Sequence, residues 1–232
     1  MGETIRLETP DGSFAAYVAK PTADKAPAVV VIQEIFGVNR FVRAVADRLA
    51  AEGYLAIAPD LFWRIEPGVD ITDQSEAEWK KAFELYNAFD VDLGVTDIDA
   101  TIDYIREHPN CSGKVGAVGY CLGGLLAYLT ATRTDADAVV GYYGVGIEKH
   151  TAEADRIEGA LLLHIAEDDG FVPKEAQAVI VRALKNHPRV EIHTYPGRDH
   201  AFAREGGEHY DAADAAIANG RTADFFKRKL GA

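Results

Sequence analysis

The sequence predicts an α/β protein with a mostly parallel central sheet and helices on both faces. Three observations predict it. Continuous apolar runs at 28–32, 115–118, 138–142 and 160–166 read as strands covered on both sides. Helix-periodic stretches separate these runs, so strands and helices alternate along the chain. The residues able to do chemistry fall just after strands, where open α/β sheets bind ligands.

Taken in order, the short runs 5–8 and 14–19 flank Pro10-Asp11-Gly12 and read as an N-terminal hairpin at a sheet edge. The strand at 28–32 runs into a loop, Gln33-Glu34-Ile35-Phe36-Gly37. A helix at 41–49 ends at Gly53, and a strand at 55–58 closes on Pro59-Asp60. Residues 61–94 break the alternation and hold both tryptophans; they read as a loop and then a helix at 75–89, lying over the strand ends. A helix at 96–107 presents Ile98, Ile102 and Ile105 on one face and stops at His108-Pro109. Beyond the strand at 115–118, a helical stretch at 122–131 and strands at 138–142 and 160–166 follow. A helix at 174–184, a last strand at 190–195 and a C-terminal helix at 210–229, interrupted near Asn219-Gly220, complete the chain.

A chain of 232 residues fits one domain spanning 1–232. The net charge of −13, from 24 basic and 37 acidic residues, argues against a general nucleic-acid or anionic-membrane surface. Two cysteines, Cys111 and Cys121, make no disulfide framework, as expected in a reducing compartment. The first residues hold no apolar signal segment, and no apolar run approaches the roughly 18 residues that span a bilayer. The expectation is a cytoplasmic protein without membrane or nucleic-acid partners.

Gly119-Tyr120-Cys121-Leu122-Gly123 has the form G-x-C-x-G, a nucleophile elbow with sulfur in place of the serine oxygen. Glycines at 119 and 123 relieve crowding at a sharp strand-to-helix turn. The helix N-terminus that follows favours a thiolate at Cys121. Alone, this motif is also compatible with a buried small thiol. The wider constellation decides: Cys121, then Asp169, then His200 follow successive strands, which is the nucleophile–acid–base order of the α/β-hydrolase fold. The thiolate attacks, the imidazole moves protons, and the carboxylate orients the imidazole. Asp168 is an alternative to Asp169. Glu34 sits in the loop that donates one oxyanion-hole N–H in this fold, and reads as a carboxylate able to take the thiol proton. Ile35 and Leu122 N–H groups are the expected oxyanion hole. His164 and His193, inside strands, read as packing or surface residues; His150, His187 and His209 read as solvated. No metal spacing or phosphate loop appears.

With these residues in place, the chain resembles the dienelactone hydrolases, also called carboxymethylenebutenolidases. The resemblance runs from about Val29 to the C-terminus. It rests on Gln-Glu-Ile-Phe-Gly-Val-Asn at 33–39, Pro-Asp-Leu at 59–61 and Gly-Lys-Val-Gly-Ala-Val-Gly-Tyr-Cys-Leu-Gly-Gly at 113–124. Gly-Tyr-Tyr-Gly-Val-Gly at 141–146, Asp-Gly-Phe-Val-Pro at 169–173 and His-Ala-Phe-Ala-Arg at 200–204 extend it. It implies a monomeric α/β-hydrolase fold with no cofactor and a Cys121–His200–Asp169 triad. It further implies Glu34 as partner of the resting thiol and Arg204 as a contact for a substrate carboxylate. Phe36 and Tyr143, from the same quoted loops, are assigned to the substrate together with Arg204 and Trp79.

The sequence departs from that family at Trp79, which stands where a second substrate-binding Arg is expected, beside Lys80 and Lys81. Phe83 replaces a Tyr, Tyr86 a Trp, and Ala201 the Ser that often follows the catalytic His. Losing one Arg–carboxylate fork weakens the case for a dicarboxylate-like lactone. The expected reaction is still the opening of an enol-lactone through a Cys121 acyl-enzyme, on a small-molecule lactone or ester, with this departure widening the range toward a more apolar or larger ester. A broader carboxylesterase or thioesterase, and a non-catalytic binding protein on this scaffold, remain as alternatives.

Overall fold

The computed structural model describes residues 2–231. They form two compact units, one reaching to Ala117 and the other Val118–Gly231, and β5 (Cys111–Tyr120) runs from the first into the second.

In the N-terminal unit the strand order is β1-β2-β4-β3-β5. The hairpin β1 (Glu3–Thr9) and β2 (Gly12–Ala19) is antiparallel, and β2 is antiparallel to β4 (Leu55–Pro59). From β3 (Ala26–Ile32) the pairing is parallel, Val29 lying opposite Ala56. Both central strands are buried along their length, as the continuous apolar runs require. Helix α1 (Arg40–Ala51) is capped by Asn39, whose Oδ1 accepts from Val42 N–H at 3.2 Å, and packs on β3 and β4. Helix α2 (Glu76–Ala88) is capped by Ser75, whose hydroxyl pairs with Glu78 three residues on. Ser75 Oγ accepts from Glu78 N–H at 3.3 Å and donates to Glu78 Oε2 at 2.8 Å.

Helix α3 spans Val91–Glu107 and begins five residues before the sequence-predicted start at 96. Asp90 Oδ1 accepts from the N–H groups of Asp92 and Leu93, both at 3.0 Å. That cap starts the helix ahead of its apolar stripe and carries it through Gly94, whose missing side chain makes room for Phe89.

In the second unit the order is β5-β6-β7-β8, and β6 (Ala138–Tyr142), β7 (Ala160–Ala166) and β8 (Val190–Tyr195) are parallel. Helix α4 (Leu122–Arg133) is buried on all sides from Leu122 to Thr132. Gly124 lets it approach β6: a Cβ there would lie 2.4 Å from Tyr142 O. Gly141 faces α4, whereas the next residue, Tyr142, reaches Thr222 of α6 (Ala212–Leu230) at 2.6 Å. Successive strand residues point to opposite faces, so α4 and α6 cover opposite faces of β6. Two 3-10 turns, Ile147–Lys149 and Thr151–Arg156, follow β6, and α5 (Lys174–Leu184) has Pro173 as its N-cap residue.

The sequence-predicted interruption of α6 near Asn219-Gly220 does not occur; the helix is continuous. Ala215, Ala218, Thr222, Phe225 and Phe226 are buried on either side of the glycine. Burial of that stripe outweighs the roughly 1 kcal/mol that a helical glycine costs.

Candidate active site

Cys121 follows β5 directly and is the N-cap residue of α4, with φ 57° and ψ −114°. This is the strained conformation expected of a nucleophile elbow. It persists because the surroundings determine it. Cys121 N–H donates to Tyr142 O at 3.1 Å, and Cys121 O accepts from Gly124 N–H at 2.9 Å and Leu125 N–H at 3.3 Å. Only a glycine fits two residues upstream, since a Cβ at Gly119 would lie 1.9 Å from Gly123 O. The thiol makes no capping bond, and Cys121 as a whole residue is 8% exposed. Leu122 N–H belongs to the first turn of α4, where backbone donors have no acceptor within the helix. The positive end of the α4 dipole therefore sits beside the sulfur.

The loops after β7 and β8 carry the other two groups. His200 Nδ1–H donates to Asp169 Oδ2 at 2.9 Å, with Oδ1 at 3.1 Å. Asp169 is itself turned inward: its Oδ1 accepts from Phe171 N–H at 2.8 Å and Val172 N–H at 3.1 Å. Asp168, the sequence alternative, points elsewhere and lies 3.4 Å from Lys174 Nζ.

Burial alone would lower the imidazole pKa of His200. The adjacent Cys121, acting as a charge and a hydrogen-bond partner, and Asp169 outweigh burial and raise it to about 10. Nε2 nonetheless makes no well-aligned hydrogen bond. Such geometry is common in resting sites, which tighten only when substrate binds.

Tyr143 and Phe171 both set ring edges against the His200 imidazole, at 5.1 and 4.9 Å between centroids. Among the described residues the non-glycine positions with positive φ are Cys121, Tyr143 and Ala201, at 57°, 38° and 64°. All three adjoin this cluster. Arg204 is buried, its backbone N–H donates to Ala201 O at 2.9 Å, and Gly207 leaves space beside its guanidinium.

The remaining sequence-predicted residues belong to the N-terminal unit. Glu34 and Ile35 follow β3 and are buried, Glu34 only 1% exposed. Their loop is held firmly. Leu61 N–H donates to Gln33 Oε1 at 3.0 Å, Ile71 N–H donates to Phe36 O at 3.2 Å, and Gly37 bridges Asp70. Phe36 meets the Trp79 ring edge-on at 5.2 Å, and Trp79 stacks on Phe83 at 5.6 Å. The Trp79 indole N–H donates to Asp73 O at 2.9 Å.

Sequence reasoning did not single out Phe171 or Asp199, both of which touch the His200 segment. Phe171 gave no signal beyond standing in the motif with Asp169. Asp199, a carboxylate adjoining the candidate base, could have been flagged.

Comparison with known proteins agrees with the fold. The dienelactone hydrolase family model matches residues 14–230. A relative from Azospirillum brasilense, named provisionally as a carboxymethylenebutenolidase, is 50% identical across 95% of this chain and 96% of its own. The carboxymethylenebutenolidase of Pseudomonas putida is 42% identical across 96% of this chain and 95% of its own. A crystal structure from Klebsiella pneumoniae subsp. pneumoniae, named provisionally as a dienelactone hydrolase, superposes with a TM-score of 0.86 at 26% identity and covers 98% of both chains. Together with the α/β-hydrolase architecture, these matches show that the chain belongs to the dienelactone hydrolase family and is a carboxylic ester hydrolase.

Proposed function

We propose that this hydrolase opens an enol-lactone ring through a cysteine nucleophile and a thioester intermediate. The observation that carries the proposal is the cluster at Cys121. A thiol on a strained elbow at a helix N-terminus neighbours an imidazole whose far nitrogen is bonded to Asp169. The family name and the relatives named carboxymethylenebutenolidase supply the substrate class.

In this reading the thiol proton passes to Glu34, whose support is the 33–39 motif and the burial of its carboxylate. The thiolate adds to the lactone carbonyl carbon, and the negative oxygen is held by Leu122 N–H and Ile35 N–H. Collapse breaks the ring C–O bond. The leaving oxygen takes a proton from the His200 imidazolium, the form its raised pKa favours, and the acyl group remains on sulfur. His200, steadied by Asp169, then accepts a proton from water as the water oxygen attacks the thioester. Loss of sulfur releases the carboxylate product, and the proton held by Glu34 returns to sulfur and restores the thiol. Arg204, a buried cation, is assigned to a carboxylate on the substrate.

A second reading, a broader carboxylesterase, has one observation in its favour. Trp79 stands where a second Arg is expected, and its polar edge is engaged by Asp73 O. One steady-state assay separates the two: enol-lactone and its carboxyl-esterified analogue, with wild type and Cys121→Ala. The expected result is loss of about 10³-fold or more in kcat for the variant, and a wild-type kcat/KM that falls when the substrate carboxylate is blocked. Undiminished turnover by Cys121→Ala refutes the mechanism. Equal kcat/KM for both substrates favours the esterase.

A further inference from the structure

We propose that Asp199 is a positioning residue that fixes the His200 imidazole against Asp169, a role that rests on the function just proposed. The argument begins where the β7–β8 pairing runs out. Beyond the strands, two backbone bonds still tie the loops together: Glu167 N–H donates to Tyr195 O at 3.1 Å and Asp168 N–H to Arg198 O at 2.8 Å. No backbone bond then links the next residues, Asp169 and His200, whose side chains must meet. Asp199 closes that gap. Its Oδ1 accepts from Gly170 N–H at 2.8 Å and from His200 N–H at 2.6 Å. One oxygen thus staples the residue after Asp169 to the backbone of His200.

The far side of His200 is also held by a side chain. His209 Nδ1–H donates to His200 O at 3.1 Å and lies 3.7 Å from Asp199 Oδ2. Both peptide groups of His200 are therefore fixed just before Ala201, whose φ of 64° needs local restraint. Burial pushes the Asp199 carboxyl up, but the two backbone N–H groups and the neighbouring His209 and His200 outweigh it and keep it below the usual range. An ionised acceptor holds its donors more strongly than a neutral one. The side chain is 40% exposed, so water can replace its bonds when it is removed. Stability should then change little. The orientation of His200 has no such substitute, and a displacement near 1 Å can cost about a hundredfold in rate.

The test compares Asp199→Ala, Asp199→Asn and Cys121→Ala in the full chain on an enol-lactone, with active sites counted by iodoacetamide. Asp199→Ala is expected to lower kcat per active site by roughly ten- to a hundredfold with KM within about twofold. It should also lower the apparent pKa of His200 in the pH–rate profile, since a nearby negative charge is gone. Asp199→Asn keeps an oxygen acceptor for both N–H groups. It should restore most of kcat while the profile stays shifted, which separates anchoring from charge even if the Ala variant does not fold. Wild-type kcat and an unmoved profile in the Asn and Ala variants would overturn the positioning role. If Cys121→Ala is inactive in that case, the proposed function stands; if Cys121→Ala is active, the function itself fails.

Discussion

A Cβ added at Gly119 would lie 1.9 Å from Gly123 O and 2.4 Å from Gly123 C, both backbone atoms of the elbow. No rotamer change relieves such a contact; the turn itself must open. Gly119→Ala is therefore expected to destabilise by about 3 kcal/mol, the upper end of typical overpacking costs. It should also slow thiol alkylation at Cys121, because opening the turn moves the sulfur off the start of α4. Urea denaturation and iodoacetamide kinetics measure the two effects, and wild-type values in both would refute this account of the elbow. The requirement at Gly119 was legible in G-x-C-x-G, because the motif encodes a backbone constraint. The order of Cys121, Asp169 and His200 was legible for the same reason, since fold topology places strand ends together. Which of two adjacent aspartates faces the imidazole was not legible. That depends on Asp169 Oδ1 receiving the N–H groups of Phe171 and Val172, a turn geometry that residue types do not specify. The part played by Gly124 was also hidden, because its contact is with Tyr142 O, eighteen residues later in the chain.

Strands were the most readable elements, since burial on both faces leaves an unbroken apolar run; 138–142 and 160–166 coincide with β6 and β7. Errors fell where local and tertiary signals conflict. Capping by Asp90 moved the start of α3 forward, and packing around Thr222, Phe225 and Phe226 carried α6 through Gly220. The 3-10 turns after β6 have no periodicity that sequence can show, being too short. Continuity of α6 has a measurable consequence. Gly220 is exposed, and a Cβ there meets nothing within 4 Å. Gly220→Ala removes backbone freedom from the unfolded chain at no steric cost, and should stabilise by about 0.5–1 kcal/mol. A lower midpoint in thermal or urea unfolding would show that the helix is broken there after all.

Two buried histidines with opposite proton affinities should shape how the whole molecule responds to pH. His164 is enclosed by a hydrogen-bonded chain. Tyr142 OH donates to Asn219 Oδ1 at 3.2 Å, so the Thr222 hydroxyl, 2.6 Å away, donates to Tyr142. Thr222 then accepts from His164 Nε2–H at 3.0 Å, leaving Nδ1 to accept from Tyr195 OH at 2.7 Å. The Tyr195 oxygen in turn accepts from Arg221 at 3.1 Å. Every polar atom is satisfied with the imidazole neutral. Burial, followed by the nearby His193 and Arg221, holds its pKa well below 6.5. The native state therefore binds fewer protons here than the unfolded chain, and stability is lost as pH falls below 6.5. His200 has the reverse sign: with a folded pKa near 10, its contribution is complete below 6.5 and is lost as pH rises from there through 10. Each limb has a limiting slope of about 1.4 kcal/mol per pH unit per proton. The net charge of −13 adds self-repulsion, which protonation of histidines and some carboxylates relieves as pH falls toward 5. In 0.15 M salt, where surface charges more than about 8 Å apart are largely screened, the acid limb should belong mainly to His164, with His193, lowered by burial and Arg221, adding in the same sense. Unfolding free energy from urea titrations at pH 5 to 10 should peak near 6.5. His164→Phe should flatten the acid limb and His200→Asn the alkaline one. Slopes decide the matter, because losing hydrogen bonds shifts a whole curve without tilting it; an acid limb that keeps its tilt in His164→Phe would mean that another group takes up the proton.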